Sequence, residues 1–174
     1  SGSVAGTALA NDATGIVGPW ARYGTGTATR YAAVSVGVVV GGVGTAAASA
    51  ADVTDLSGTV NYDVSAAGTL GTGASFNTRR YAAAAGGAIS GGYAANGLLN
   101  ASGGILTLSG SGTIGAGKEL VLTSPDTTRR IDVAGGLSDH ASGASGITVT
   151  GGGQVRLTAG STYSGVTAVG SVRN

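Results

Sequence analysis

An all-β solenoid is the fold class predicted for this chain, and three observations predict it. Short runs alternate apolar with polar residues, glycine-rich clusters separate them at close spacing, and aromatic and charged residues are both scarce. The runs are Ile105–Leu108, Leu120–Thr123, Arg130–Val133, Ile147–Thr150 and Val155–Thr158, each with the two-residue period of a half-buried strand. Their starts lie 15, 10, 17 and 8 residues apart. Between them stand Ser109–Gly112, Gly115–Gly117, Ser124–Asp126, Gly135–Gly136 and Gly151–Gly153, which supply the tight bends that other residues resist. Strands this short also suit a sandwich or an antiparallel barrel. The irregular spacing, the 5% aromatic content and the few charges available to guard strand edges favour a coil, because a coil has edges mainly at its two ends.

The elements follow in chain order. The 174 residues read as one domain, with 1–88 as less regular coils or a cap over the solenoid's end and 89–174 as regular coils. Ile16–Trp20, Tyr23, Tyr31 and Val34–Val40 suggest strands and loops with larger side chains. Thr45–Asp55 has helix-friendly content, but its alanines form no apolar stripe and are small enough to stack inside a narrow coil.

Composition excludes several classes. Thirty-five glycines make about 20% of the chain, against roughly 7% in ordinary proteins. They do not recur every third residue and only two prolines are present, so a collagen helix is excluded. With 42% hydrophobic and 10% charged residues, the chain must bury its apolar side chains or associate, and disorder is disfavoured. Nine basic and eight acidic residues leave a net charge of +1, which provides no footprint for nucleic acid or anionic membrane. The absence of cysteine excludes disulfides and thiol chemistry. Val34–Val43 is the most apolar run, yet it is short and broken by glycines, so no membrane span is expected. The start, SGSVAGTALAND, lacks the features of a signal peptide, and no methionine occurs. These point to a processed or excised segment whose targeting signal lies elsewhere.

Residues that could carry chemistry are few. The carboxylates are Asp12, Asp52, Asp55, Asp63, Asp126, Asp132, Asp139 and Glu119. Asp132, Asp139 and His140, with Arg129 and Arg130 nearby, form the one constellation that could hold a catalytic pair. Its plainer reading is a solvated turn over Gly135–Ser142. One histidine and no cysteine leave oxygen donors only, and Gly135–Asp139 gives a single imperfect echo of a calcium-binding turn. Gly117-Lys118-Glu119 departs from a phosphate cradle, and Gly143–Gly146 is no nucleophile elbow. No catalytic, cofactor-binding or metal-binding residue is therefore assigned, and no enzyme activity or cofactor is expected. The doublets Arg79-Arg80 and Arg129-Arg130 read as solvent-facing arginines, or as contacts to a neighbouring copy or an anionic glycan. Tyr23, Tyr31, Tyr81, Tyr93 and Tyr163 read mostly as covers over corners of the coil. Asn100-Ala101-Ser102 is a glycosylation sequon on paper.

Gly151–Gly170 reads GGGQVRLTAGSTYSGVTAVG. It resembles the autotransporter-associated β-strand repeat of large bacterial surface proteins. Matching positions are Gly151, Gly153, Val155, Leu157, Thr158, Gly160, Thr162, Tyr163, Ser164, Gly165, Thr167 and Val169; Ser161 stands where the family usually has Asn. Ala95–Thr123, Ile131–Thr150 and Asn11–Ser35 are similar to other stretches of such proteins. The resemblance implies a right-handed parallel β-solenoid, secretion to the bacterial cell surface and a structural or adhesive role. The expected partners are further copies or repeats of the same protein, joined end to end through exposed strand edges, with surface glycans as a second class. The alternative expectation is a glycan-binding or polysaccharide-degrading module on the same fold.

Overall fold

The structure of the protein, a computed structural model, describes residues 9–170. Its parallel strands wind into a β-solenoid of about six turns. The main face stacks β4 (Thr45–Ala47), β5 (Asn61–Val64), β7 (Ala74–Tyr81), β9 (Tyr93–Asn100), β12 (Glu119–Thr123), β15 (Gly146–Thr150) and β17 (Thr167–Gly170) in order. The second face stacks β6 (Gly68–Thr69), β8 (Gly87–Ser90), β10 (Ile105–Leu108), β13 (Arg130–Val133) and β16 (Gln154–Leu157). The third side is shorter. It is made by the first halves of β7 and β9, then by β11 (Gly112–Ile114) and β14 (Leu137–Ser138).

Register carries the alternating pattern from coil to coil. Tyr62, Arg79, Leu98, Leu122, Val149 and Val169 form one inward column of the main face. Leu106, Ile131 and Val155 form another on the second face. A one-residue slip would turn every one of these side chains outward, so burial fixes the register. Leu98, Leu106, Leu108, Ile114, Leu120, Leu122 and Ile131 are fully buried; each contributes roughly 1.5–3 kcal/mol relative to exposure. Coil length is free to vary because the surplus residues go into corners such as 124–129 and 139–145.

The five strands that alternation marks lie within one residue of β10, β12, β13, β15 and β16. Thr45–Asp55 is not an α-helix: it holds β4 and a single 3-10 turn, Ala50–Asp52. The low aromatic content also hides a local concentration. Phe76 stacks with Tyr93 at 6.4 Å and meets Tyr62 edge-on at 6.5 Å, so the early coils have an aromatic core and the later ones an aliphatic core.

The N-terminal region differs from the expected division at residue 88. Parallel coils begin at β4, and the described residues before them, 9–44, do not wind as coils. β1 (Arg22–Tyr23), β2 (Arg30–Ser35) and β3 (Val38–Gly41) form an antiparallel meander, laid against the outer side of the main face. Ile16 and Tyr31 form a second small core there with Leu99 and Ala101. Gly97 is the point of close approach: an added Cβ would meet Pro19 of this segment at 2.9 Å and the Tyr31 hydroxyl at 3.1 Å.

The turn joining β2 to β3 is strained. Val36 and Gly37 both have positive φ, 49° and 75°, as a two-residue primed turn requires. A β-branched residue in the left-handed region is disfavoured, and Val36 is fully exposed at 100%. Val36→Asn restores the preferred Asn-Gly pair and should add about 1 kcal/mol of stability, read as a higher urea midpoint at unchanged slope.

Candidate interaction surface

Three asparagines tie the early coils together along one corner. The Asn61 amide donates to the Thr14 carbonyl at 2.9 Å. Asn77 donates to Asn61 Oδ1 at 2.9 Å, Asn96 donates to Asn77 Oδ1 at 3.0 Å, and the Gly117 N–H donates to Asn96 Oδ1 at 2.9 Å. Each amide accepts from the following coil and donates backward, Asn77 and Asn96 to the preceding coil and Asn61 to the N-terminal segment, which a carboxylate or an amine could not do. β7 and β9 bend from the third side to the main face at Asn77 and Asn96. Sequence reading missed this ladder. Its one available signal is the spacing of 16 and 19 residues between the asparagines, close to one coil.

The arginine doublets correct the expectation of solvent-facing side chains. Arg79 points into the core and is 1% exposed. Its guanidinium lies 5.2 Å from the Phe76 ring centre and 5.8 Å from that of Tyr93. All three of its nitrogens lack an acceptor, as do the buried hydroxyls of Tyr31 and Tyr93. Burial pulls the Arg79 guanidinium down to about 10, so it is still charged at neutral pH, and burial pushes the Tyr93 phenol up to about 12. Arg80 points outward but lies under the meander, where its Nε donates to the Thr29 carbonyl at 2.6 Å and Nη2 to the Thr27 carbonyl at 2.7 Å. Asp63 pairs with Arg30 at 2.6 Å and approaches Arg80 at 3.9 Å. Arg129 is buried too; it donates to the Ser102 carbonyl at 2.6 Å and pairs with Asp126. Arg130 is half-buried and forks onto Asp132 at 2.7 and 2.8 Å.

The tyrosines differ from the expected corner covers in the same way. Tyr81 and Tyr93 sit in the main core and Tyr31 beneath the meander, whereas Tyr23 is exposed. Tyr163 is partly buried against the core, with its hydroxyl 2.7 Å from the Thr167 hydroxyl.

Asp132 and Asp139 share no partner. Asp132 is held by Arg130 on the outer side of β13, whereas Asp139 follows β14 and accepts from the Ser145 N–H at 2.7 Å and from the Ser164 hydroxyl and N–H at 2.7 and 3.0 Å. His140 bonds locally to Ser142, whose carbonyl also accepts from Lys118. The other carboxylates close turns or join strands: Asp12 on Thr14, Asp52 on Ser49, Asp55 on Ser57, Asp126 on Thr128 and Glu119 on Thr148. Asn100 is fully buried and donates to the Gly104 and Arg130 carbonyls at 2.8 Å each, so its amide is inaccessible as a glycan acceptor.

Three of these carboxylates give the fold an acid limit, Asp55 through the hydrogen bonds it accepts from Ser57 and Val60. The Ser164 hydroxyl, with the Ser164 and Ser145 N–H groups, holds Asp139 below the usual carboxylate range. Hydrogen bonds from Thr128, together with Arg129, do the same for Asp126. A depressed folded value means that the stabilisation is complete above the unfolded value, near 4, and is lost as pH falls through the folded value. Urea midpoints should therefore drop as pH falls below about 4, and the drop should be shallower in Asp126→Asn/Asp139→Asn.

A polar cavity of about 460 Å³ lies between the meander and the corners after β12 and β15, lined by Arg22, Thr25, Thr29, Asp126 and neighbouring glycines. The ends of the coil are the other exposed features. Among the described residues, β4, β16 and β17 each pair on one side only. Inward positions of the last coil stand open, with Val169 at 77% and Leu157 at 39% exposure. The Gly151–Gly170 stretch makes this last coil. The Thr162 and Tyr163 N–H groups donate to the Leu137 carbonyl at 2.7 and 3.3 Å, and Ser161 Oγ accepts from the Leu137 N–H at 3.1 Å. Ser161 thus makes a coil-to-coil bond.

No family model, curated protein or solved structure matches the chain.

Proposed function

We propose that the chain is a structural and adhesive module of a secreted bacterial surface or filament protein, associating end to end. The observation that supports this most directly is the unbroken main face: seven strands, β4 to β17, in parallel register from one end of the coil to the other. A pull along the coil axis is opposed by every coil-to-coil hydrogen bond in turn, and stability in such a stack is a sum over neighbours. The asparagine ladder and the meander brace the early coils. Bacterial origin, export and the adhesive role rest on the likeness of Gly151–Gly170 to the surface-protein repeat. Tandem copies pulled end to end should extend as a stiff rod and yield in coil-sized steps of about 20 residues. Smooth extension at low force would sink this reading.

Glycan binding is the second reading, and the cavity beside Arg22 favours it. The site offers the Arg22 guanidinium, threonine hydroxyls and glycine backbone beside the Asp126 carboxylate, which Arg129 and Thr128 already engage, and so suits a carboxylate-bearing sugar held by Arg22. Binding on an array of acidic glycans, lost in Arg22→Ala, would support it over a purely mechanical role.

A further inference from the structure

Asn96 and Gly97 are each fixed by a different neighbour, and together they make the only Asn–Gly peptide in the sequence. Asn96 is the last of the three asparagine rungs: its amide donates to Asn77 Oδ1 at 3.0 Å, and its Oδ1 accepts from the Gly117 N–H at 2.9 Å. Gly97 is the seat of the N-terminal segment. A Cβ there would meet Pro19 at 2.9 Å, and Thr78 Cγ2 and the Tyr31 hydroxyl at 3.1 Å each. The fold therefore sets Asn and Gly side by side in the middle of β9, although neither is a strand former.

That dipeptide carries its own chemistry. The Gly97 backbone nitrogen, once it gives up its proton to the solvent, attacks Asn96 Cγ and forms an N–Cγ bond. The Cγ–Nδ2 bond breaks, and the nitrogen leaves as ammonia with a proton taken from water. Glycine has no Cβ to hinder the approach. The cyclic imide then adds one water. Opening at Cγ gives an aspartate, whereas opening at the main-chain carbonyl leaves the chain running through Cγ, one backbone atom longer.

In the folded coil this step is blocked. The Asn96 carboxamide is engaged on both sides, and Gly97 is held in register with Thr78 on β7 and Val121 on β12. Cγ cannot swing onto the Gly97 nitrogen without breaking both ladder bonds. The products do not fit back. The polarity of the ladder is set at its two ends by the Gly117 N–H and the Thr14 carbonyl, so an aspartate at 96 turns an oxygen toward Asn77 Oδ1. The longer chain is worse, because it shifts the buried Leu98 and Leu99 out of register.

We propose that Asn96–Gly97 is a self-modification site, shut while β9 is paired and open whenever β9 leaves the sheet, and that its products cannot rejoin the ladder. Each opening of the middle coils thereby risks a permanent covalent mark.

The full chain is incubated folded and in guanidinium chloride at one mildly alkaline pH. Mass spectrometry follows the exchange of amide for acid, and peptide mapping places it. Conversion at Asn96 should be slower in the folded chain by roughly a hundredfold or more, because it proceeds only through the open fraction. Asn77→Ala, which frees the Asn96 amide from its acceptor, should speed conversion of the folded chain by about tenfold. Asn96→Gln should stay unconverted in denaturant, since its ring closure needs one more atom; it is read unfolded, so its folding is immaterial. Converted chains, separated by their extra negative charge and diluted out of denaturant, should show a lower urea midpoint than unconverted chains carried through the same steps. Equal rates in folded and denatured chain would overturn the proposal. So would conversion centred on another asparagine, or a midpoint that conversion leaves unchanged.

Discussion

Arg79→Met should make the protein more stable, by about 2 kcal/mol, and raise its melting temperature by roughly 4–8 °C. Arg79 occupies a position that Leu98 and Leu122 fill one and two coils further on. Its charge is buried without a carboxylate and without an acceptor for any of its three nitrogens. Breaking a buried ion pair destabilises because one charge is orphaned; here the wild type already holds the orphan, so removing it relieves a cost. The opposing effect is the stacking on Phe76 and Tyr93, worth about 0.5–2 kcal/mol for a cation over a ring. Methionine retains much of that through sulfur–aromatic contact and fills a similar length. Arg79→Ala, by contrast, leaves a cavity and should fall below Arg79→Met by roughly 2–4 kcal/mol. The comparison is made by calorimetry on the three proteins. A loss of more than about 1 kcal/mol in Arg79→Met would mean that the guanidinium has acceptors in solution and is part of what holds the early coils.

Asn77→Ala should cost about 2–3 kcal/mol. Asn77 is the middle rung of the ladder, almost fully buried, and donates to both Asn61 Oδ1 and Thr14 Oγ1 at 2.9 Å. Truncation leaves the Asn96 amide without its acceptor, whereas Asn61 Oδ1 keeps the Thr78 hydroxyl at 2.7 Å. The loss is thus one orphaned, half-buried donor plus the bonds forgone by the buried Asn77. Asn77→Asp separates shape from chemistry. It preserves volume but sets a carboxylate against the Asn61 carbonyl oxygen, so it should be worse than alanine at pH 7 and recover toward pH 4 as the carboxyl gains a proton. Urea titrations at both pH values test this, and equal midpoints for the two variants would show that the ladder's polarity contributes nothing.

Legibility in the sequence followed how locally each element is determined. β10 and β13 were readable because Ile105–Leu108 and Arg130–Val133 alternate cleanly between glycine clusters, and alternation reports the side-chain direction of a strand directly. β7 and β9, the longest strands, were not readable. Each turns a corner in mid-strand at Asn77 or Asn96, which resets the inward positions, and each carries residues that look like loop or surface. Arg79 misled for the same reason: its charge argues for water, but its register places it inside. Arg80, Leu99 and Tyr31 required knowing that the meander folds back over the main face, a contact spanning about 50 residues or more for Arg80 that no local pattern encodes.

That fold-back also bears on the order in which the protein assembles. Coils can add one at a time as the chain emerges, since each pairs with the coil made just before it. The meander is synthesised before the coils, yet its seats are made later: Arg80, Gly97 and Leu99 lie in the middle coils, and Arg22 reaches Gly151 of the last described coil. Until those coils exist, Ile16 and Tyr31 lack the Leu99 and Ala101 surface that buries them, and their segment is the one most in need of shielding by a chaperone or by rapid synthesis. The meander is made before its seats and is the last of these elements to find its place.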